Sequence, residues 1–200
     1  MNRRRWLCGL ASASWLGPLP LARAAGAQVD ANAASALLRQ GGGGLVVAMR
    51  HALAPGTFDP PGFQPGVCST QRNLSDEGRE QARRVGAWYR ERKLVPTAVR
   101  SSEWCRCLET ARLAFGAAEP WPALNSIVRE RATAAAQTQM LGAELMRRAR
   151  ANAPGFEVWV THQANISALA GSFTGSGDAL LLRHEAGRSE PVVLATLSLG

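Results

Sequence analysis

The sequence has little lysine, tyrosine or histidine, and it has no long uninterrupted apolar run. Lys93 is the single lysine, and among 200 residues there are one tyrosine and three histidines. The formal net charge of +8 is therefore carried almost entirely by arginine. Four arginines lie in the first 24 residues, where no acidic residue occurs, so 19 of the 23 basic residues remain against 15 acidic ones, a net charge of +4. This mildly basic remainder suits a small anionic substrate. The sequence has no basic patch with interleaved aromatics, the pattern that would indicate a nucleic-acid partner.

Cysteine is also scarce, which excludes the common kinds of zinc site. The four cysteines are Cys8, Cys68, Cys105 and Cys107. Cys105 and Cys107 are too close to chelate a metal by themselves, and no other histidine or cysteine cluster has zinc-ligand spacing. We therefore expect neither a metal nor a cofactor. In an oxidising compartment we expect one disulfide, from Cys68 to either Cys105 or Cys107.

The first 27 residues are typical of a signal peptide. Residues 1–5 are basic, and residues 6–21 are apolar but too short and too interrupted by proline for a stable membrane span. Small residues at the positions that a signal peptidase reads predict cleavage after Ala24 or Ala27. We therefore expect a signal peptide over residues 1–27, a single domain over residues 28–200 and no membrane span after cleavage.

The route of export has two interpretations. The arginines at positions 3–5, followed by Trp6 and Leu7, resemble a twin-arginine signal, in which phenylalanine is usual at the place of the tryptophan. The alternative is a general secretory signal whose basic end happens to be arginine. Both routes predict a periplasmic or secreted protein.

Apolar runs and helical stripes alternate through most of the chain. Buried strands are predicted at residues 45–49, 97–100 and 157–161, and a closing hairpin at residues 179–183 and 192–198. Helices are predicted at residues 32–40, 75–93, 103–115, 137–151 and 165–170. This alternation predicts an α/β fold, a three-layer sandwich with a mainly parallel central sheet, without an internal repeat. The long segment 53–72, rich in proline and glycine, is expected to cover a site.

Three predicted strands end in residues that suit phosphate chemistry. The first ends in Arg50 and His51, the second is followed by Ser102 and Arg106, and the third ends at His162. Because ligands in open α/β sheets bind beyond the carboxyl ends of the strands, we expect these side chains to converge. Arginine binds phosphate bidentately, and a neutral imidazole is a suitable nucleophile toward phosphorus.

Four motifs occur in a fixed order between residues 45 and 171. They are Arg50-His51-Ala52 at a strand end, the nine residues Leu-Ser-Asp-Glu-Gly-Arg-Glu-Gln-Ala at 74–82, Ser101-Ser102 with Arg106 and Thr110-Ala111, and Val160-Thr161-His162.

This ordered set resembles the histidine phosphatase superfamily, also called phosphoglycerate mutase-like. The resemblance departs from the family pattern at Ala52, where the family has glycine, and this puts the local loop geometry in doubt. It implies that His51 takes the phosphoryl group as a phosphohistidine, and that Arg50, Arg106 and His162 bind its oxygens.

The resemblance implies a histidine acid-type phosphatase, a phosphomonoester hydrolase without a cofactor. Its expected partner is a phosphorylated small molecule, and exported relatives make an envelope sugar phosphate an attractive substrate. The alternative is a catalytically weak or inactive phosphate-binding module of the same fold.

Two assignments within the expected site stay open. Many relatives take the proton for the leaving group from a glutamate after the arginine helix, and Glu130 has about that place. Asp59, in the long loop, is the rival donor, and Glu130 is otherwise a solvated residue paired with its flanking arginines. Asn165 follows His162 by three residues, where its amide either contacts the phosphoryl group or caps a helix.

Overall fold

The computed structural model of the chain describes residues 31–129 and 131–199. The expected signal peptide and Glu130 lie outside these residues. The five α-helices of the described part are α1 Ala31–Gln40, α2 Asp76–Glu91, α3 Cys105–Phe115, α4 Ala134–Arg150 and α5 Gln163–Ala170. Its strands are β1 Leu45–Arg50, β2 Ala98–Ser101, β3 Glu119–Pro120, β4 Phe156–Thr161, β5 Ala179–Arg183 and β6 Val192–Leu197.

The six strands form one sheet in the order β3-β2-β4-β1-β5-β6. Strands β3, β2, β4 and β1 pair in parallel, whereas β5 pairs antiparallel with β1, and β6 pairs antiparallel with β5. Arg50 at the end of β1 pairs with Thr161 at the end of β4, so these carboxyl ends are level. The mainly parallel sheet and the closing hairpin confirm the prediction from the sequence.

Strands β1 and β4 lie at the centre of three layers. Val47 and Met49 of β1 pack in the core on one face, with α1, α2 and α3, while Val46 and Ala48 pack on the opposite face with α4 and α5. Adjacent residues of a strand point to opposite faces, so a strand covered on both sides is apolar throughout. The continuous apolar run of β1 has this origin.

Glu157 is the one charged residue of β4. It is buried, and its carboxylate accepts hydrogen bonds from Arg148 and from Trp159 Nε1, the latter at 2.9 Å. Arg148 is buried as well, and Arg100 Nε lies 3.6 Å from the same carboxylate. A buried charge requires such partners, and the network supplies them.

Close backbone contacts explain the glycine of the 74–82 motif. Ser75 caps α2 by accepting a hydrogen bond from Gly78 N at 3.1 Å. A Cβ added to Gly78 would lie only 2.0 Å from Leu53 O. Glycine at this position therefore lets α2 approach the backbone that follows the first motif.

The start of α3 differs from the prediction. The helix begins at Cys105 rather than at residue 103, and neither Ser101 nor Ser102 serves as its N-cap. Instead, Cys105 N donates to Gln71 Oε1 at 2.9 Å, so a side chain from the long loop satisfies the helix terminus. Ser102 is engaged elsewhere, as described below.

A disulfide joins Cys68 to Cys105, one of the two expected pairings, and Cys107 is a buried free thiol. The bridge ties the long loop to the first residue of α3. Within the described ranges, no helix is long and apolar enough to cross a membrane.

Candidate active site

A cavity of about 590 Å³ opens at the carboxyl ends of β1 and β4. Four of the five residues expected to converge at the strand ends line it, namely Arg50, His51, Arg106 and His162, whereas Ser102 does not. The loop between β1 and α2 contributes further lining residues, among them Phe58, Asp59 and Arg72. The convergence expected from parallel strands is therefore present.

One ring nitrogen of His51, Nε2, is unprotonated and has its lone pair on the side of the cavity. Its Nδ1 lies 2.7 Å from the backbone oxygen of Ala52, and because a carbonyl only accepts, Nδ1 carries the proton. Burial, reinforced by the positive charge of Arg106, lowers the pKa of His51 from 6.5 to about 3. The ring is therefore neutral at neutral pH, and Nε2 has the free electron pair that a nucleophile needs.

Ala52, the departure from the family motif, fits its surroundings without strain. It is fully buried, and its backbone N–H donates to Thr110 Oγ1 at 3.1 Å. Its φ is not positive, so the backbone makes no demand for glycine.

His162 is oriented by Ser102. The hydroxyl of Ser102 donates to Asn125 Oδ1 at 3.2 Å and lies 2.9 Å from His162 Nε2, which therefore donates to it. The other ring nitrogen, Nδ1, faces Arg106 and the cavity. Burial is the main cause that lowers the pKa of His162 well below its ordinary value, and the nearby positive charge of Arg106 acts in the same direction. An entering phosphoryl anion would oppose both effects and favour a proton on Nδ1, where it can donate to a phosphoryl oxygen.

Arg106 uses every N–H group of its guanidinium. Nε donates to His51 Nε2 at 3.2 Å, and NH2 lies 3.4 Å from His162 Nδ1. On the opposite edge, NH1 and NH2 donate to the two carboxylate oxygens of Asp59, at 2.7 and 3.3 Å. The remaining N–H, on NH1, donates to Arg72 O at 3.3 Å. The guanidinium is 3% exposed and directs one edge at the histidine pair.

Two further arginines, Arg50 and Arg72, line the cavity and have guanidinium N–H groups without a hydrogen-bond partner among the described residues. Arg50 NH1 donates to Thr174 O at 3.1 Å, and Arg72 NH1 donates to Gly56 O at 2.9 Å and to Ala54 O. The Nε atoms of Arg50 and Arg72 are buried, and among the described residues neither has a hydrogen-bond partner. Burial lowers the pKa of both groups. Because both residues line the cavity, their positive charges favour an anion there.

Arg72 lies at the end of the long loop, directly before the Leu-Ser motif. From the sequence, residues 71–73 could equally face the pocket or form a polar cap, and the structure places Arg72 in the cavity lining. Ser102 was expected among the residues at the strand ends, but its role as the hydrogen-bond partner of His162 was not predicted.

Of the two candidate proton donors, the structure describes Asp59 but not Glu130. Glu130 lies outside the described residues, although its neighbours Arg129 and Arg131 both line the cavity. Asp59 lies in the cavity but is ion-paired with Arg106. Burial raises the pKa of its carboxyl, yet the hydrogen bonds and the charge of Arg106 outweigh burial, and the pKa lies below its ordinary value. A carboxylate held in this way is a poor proton donor.

Asn165 does not contribute to the cavity lining, and this corrects its tentative assignment. Its side-chain amide donates to Asn125 O at 2.8 Å and accepts from Ile127 N at 3.4 Å. The side chain is buried, and both of its polar atoms hold the segment 125–127. It therefore supports the wall of the site instead of contacting a phosphoryl group, and it caps no helix.

The charges of the cavity favour a tetrahedral anion. Guanidiniums outnumber carboxylates among the described lining residues, and three of them surround the histidine pair. Arginine forks and neutral imidazoles together can bind a phosphoryl group and accept it on nitrogen. Among the described residues, no cluster of histidine, cysteine and acidic side chains could hold a metal ion.

Comparisons with known proteins agree with this geometry. Residues 64–140 match the model of the histidine phosphatase superfamily (branch 1). No curated protein matches the chain.

Solved structures share the fold. A phosphoserine phosphatase from Entamoeba histolytica, in complex with 3-phosphoglyceric acid, has a TM-score of 0.54 at 14% identity, covering 77% of this chain and 96% of its own. The alpha-ribazole phosphatase of Shigella flexneri has a TM-score of 0.51 at 15% identity, covering 78% and 97%. A mycobacterial glucosyl-3-phosphoglycerate phosphatase has a TM-score of 0.52 at 18% identity, covering 74% and 97%.

Proposed function

We propose that this chain, which has the fold of the histidine phosphatase superfamily and matches its model over residues 64–140, hydrolyses phosphomonoesters through a phosphohistidine on His51. One observation carries the proposal. His51 presents an unprotonated Nε2 to a cavity in which Arg106 directs two N–H groups at the same place, toward His51 and His162.

The reaction has two displacements at phosphorus. In the first, His51 Nε2 attacks, a P–N bond forms, and the bond from phosphorus to the substrate's ester oxygen breaks. At rest, Arg106 Nε–H donates a hydrogen bond to the Nε2 lone pair. As the substrate binds, the same N–H donates to a phosphoryl oxygen instead. In the second, a water oxygen attacks phosphorus and the P–N bond breaks, which returns the electron pair to His51 Nε2. The water gives a proton to the group that protonated the leaving oxygen, and inorganic phosphate is released. Arg50, Arg106 and His162 stabilise the charge on the equatorial oxygens in both steps.

The leaving oxygen needs a proton, and Glu130 remains our candidate for its donor. Support comes from the neighbours, because Arg129 and Arg131 both line the cavity. The lowered pKa and the ion pair of Asp59 count against the rival.

The proposed substrate is a small or envelope sugar phosphate, met in the periplasm or outside the cell. A cavity of about 590 Å³ is within the range of sites for small molecules. The basic and apolar character of the first 27 residues supports export.

The second candidate is a phosphate-binding module with little or no turnover. It is favoured by the resting arrangement of Arg106, whose Nε–H occupies the lone pair that must attack. Such a module would bind inorganic phosphate through the same arginines.

Hydrolysis of p-nitrophenyl phosphate by the purified mature protein and by a His51→Ala variant separates the two candidates. We expect turnover by the wild type only, together with an acid-labile, base-stable phosphoryl label on the wild-type protein. Wild-type turnover no greater than that of the variant would reject the enzyme in favour of the module. A panel of phosphorylated metabolites and envelope sugars then tests the substrate class.

A further inference from the structure

We infer that Asp59 is a positioning residue, which holds the guanidinium of Arg106 in the plane that directs its inner edge at His51 and His162. The inference rests on the proposed function, since it assigns a role in the same reaction. It goes beyond the choice between two proton donors, because it gives Asp59 a role that requires the ionised carboxylate.

The geometry of the guanidinium carries the inference. A guanidinium has two edges that can each make a pair of parallel hydrogen bonds. In Arg106 the outer edge, formed by NH1 and NH2, donates hydrogen bonds to both carboxylate oxygens of Asp59. The inner edge, formed by Nε and NH2, faces the two imidazole nitrogens. Fixing the outer edge therefore fixes the direction of the inner one.

Asp59 is itself held by groups other than Arg106. Its Oδ1 accepts from Arg72 N at 3.1 Å, and its Oδ2 accepts from Trp104 Nε1 at 3.2 Å. A carboxylate with this many donors stays ionised and has one orientation. It can therefore act as a fixed reference for the buried cation beside it.

The loop that carries Asp59 is fastened to the start of α3 at three places. The disulfide joins Cys68 to Cys105, and Gln71 accepts from Cys105 N. Phe63 stacks on Trp104 with ring centroids 4.9 Å apart. Cys105 and Trp104 directly precede Arg106, so the loop and the guanidinium are located on one rigid frame.

The consequence for catalysis is a separation of binding from chemistry. Loss of Asp59 leaves the positive charge of Arg106 in the cavity, and it removes a negative charge near the anion. Affinity for inorganic phosphate should therefore not fall. The rate should fall, because misplacement of a charge-stabilising group by about 1 Å costs up to ~10²-fold.

The test compares Asp59→Asn and Asp59→Ala with Asp76→Asn, which removes an exposed carboxylate at the start of α2. Each variant is assayed with p-nitrophenyl phosphate, whose leaving group needs no proton, and with glycerol 2-phosphate, whose alkoxide does. We expect kcat/KM to fall about 10-fold in D59N, which keeps one acceptor oxygen, and about 100-fold in D59A. The factor should be the same for both substrates, and the inhibition constant of inorganic phosphate should be unchanged or lower.

Two further measurements exclude a general loss of structure. Urea unfolding at the assay temperature must show that each variant is fully folded. If D59A is not fully folded, the conclusion is drawn from D59N alone. In proton NMR, the Arg106 Nε–H should exchange slowly with water in the wild type and rapidly in D59A. This second readout does not depend on turnover.

Several results would overturn the inference. A loss confined to glycerol 2-phosphate would identify Asp59 as the proton donor. Undiminished or increased activity in folded D59A would show a dispensable or inhibitory contact, and a rise in the phosphate inhibition constant in step with the loss would show a general collapse of the anion site. A wild type without turnover rejects the proposed function, whereas an active wild type with an equally active D59A rejects only the positioning role.

Discussion

Arg106 Nε and His51 Nε2 are 3.2 Å apart and joined by a hydrogen bond from the guanidinium to the imidazole. In the proposed reaction, this bond occupies at rest the Nε2 electron pair that attacks phosphorus. During the reaction the same N–H must pass to a phosphoryl oxygen, so the lone pair becomes free as the anion arrives. One side chain thus holds the nucleophile in place and then binds the group that the nucleophile receives.

Arg106→Lys should be severely impaired although it keeps the positive charge. An ammonium cannot grip Asp59 with one edge and face both histidines with another. We expect kcat/KM for p-nitrophenyl phosphate to fall by about 10²–10³-fold. The matched control is Arg112→Lys, an exposed position on the same helix, which should leave kcat/KM unchanged. Near-normal activity in R106K would show that charge alone suffices.

The pH dependence of activity should be governed by the low pKa of His51. With a pKa of about 3, its Nε2 is unprotonated throughout the neutral and mildly acidic range. Protonation of the nucleophile should therefore not reduce kcat/KM until the pH approaches that value. A fall of kcat/KM near pH 6.5 that coincides with protonation of His51, followed by NMR of the wild type, would contradict this.

The same shift predicts how stability depends on pH. His51 has a folded pKa of about 3 against an ordinary 6.5, so between these values the unfolded chain binds more protons than the folded one. The stability contributed by the neutral ring is complete above about pH 6.5 and is lost as the pH falls toward 3. We expect the free energy of unfolding to decrease less steeply over this window in His51→Asn than in the wild type.

The parts of the site that the sequence predicts share one physical origin. Arg50, His51 and His162 follow buried parallel strands, and parallel strands bring their ends together whatever the intervening loops do. Arg106 lies one turn into the helix after such a strand. These residues could be located because the pattern of the elements determines their position.

The contacts made by loop residues could not be predicted in this way. Asp59 reaches Arg106 because the loop folds back over α3, and nothing in a Pro- and Gly-rich segment encodes that path. Arg72 and Ser102 had equally good local roles as polar caps, and only tertiary contacts select the other role. The buried Glu157 likewise depends on Arg148, which a helix nine residues earlier in the chain supplies.

Loss of the disulfide should reduce both stability and activity. The bridge closes a segment of 37 residues, for which the loop-entropy relation gives about 4 kcal/mol of stability. Cys68→Ser should lower the free energy of unfolding by about this amount in denaturant titrations. Because the bridge also fastens the Asp59 loop to α3, kcat/KM should fall in the folded variant as well.

Reducing agent provides the control for the disulfide. Dithiothreitol should reproduce the loss of stability in the wild type and should have no further effect on a Cys68→Ser, Cys105→Ser double variant. Equal stability of the wild type with and without reductant would mean that the bridge does not constrain the chain.

Glu157 should affect stability without affecting chemistry. Its carboxylate is 6% exposed and is paired with Arg148 on the flank of the sheet, whereas the candidate catalytic groups lie beyond the strand ends. Glu157→Gln leaves a buried guanidinium without its full counter-charge, which costs about 3–5 kcal/mol. Glu80→Gln, which breaks an exposed pair with Arg83, should cost only about 0–1 kcal/mol.

Folded E157Q should nevertheless keep the wild-type kcat/KM. A loss of kcat/KM in E157Q at full folding would show that the charges of the flank and those of the cavity are coupled through β4, because that strand carries Glu157 near one end and leads directly into His162 at the other.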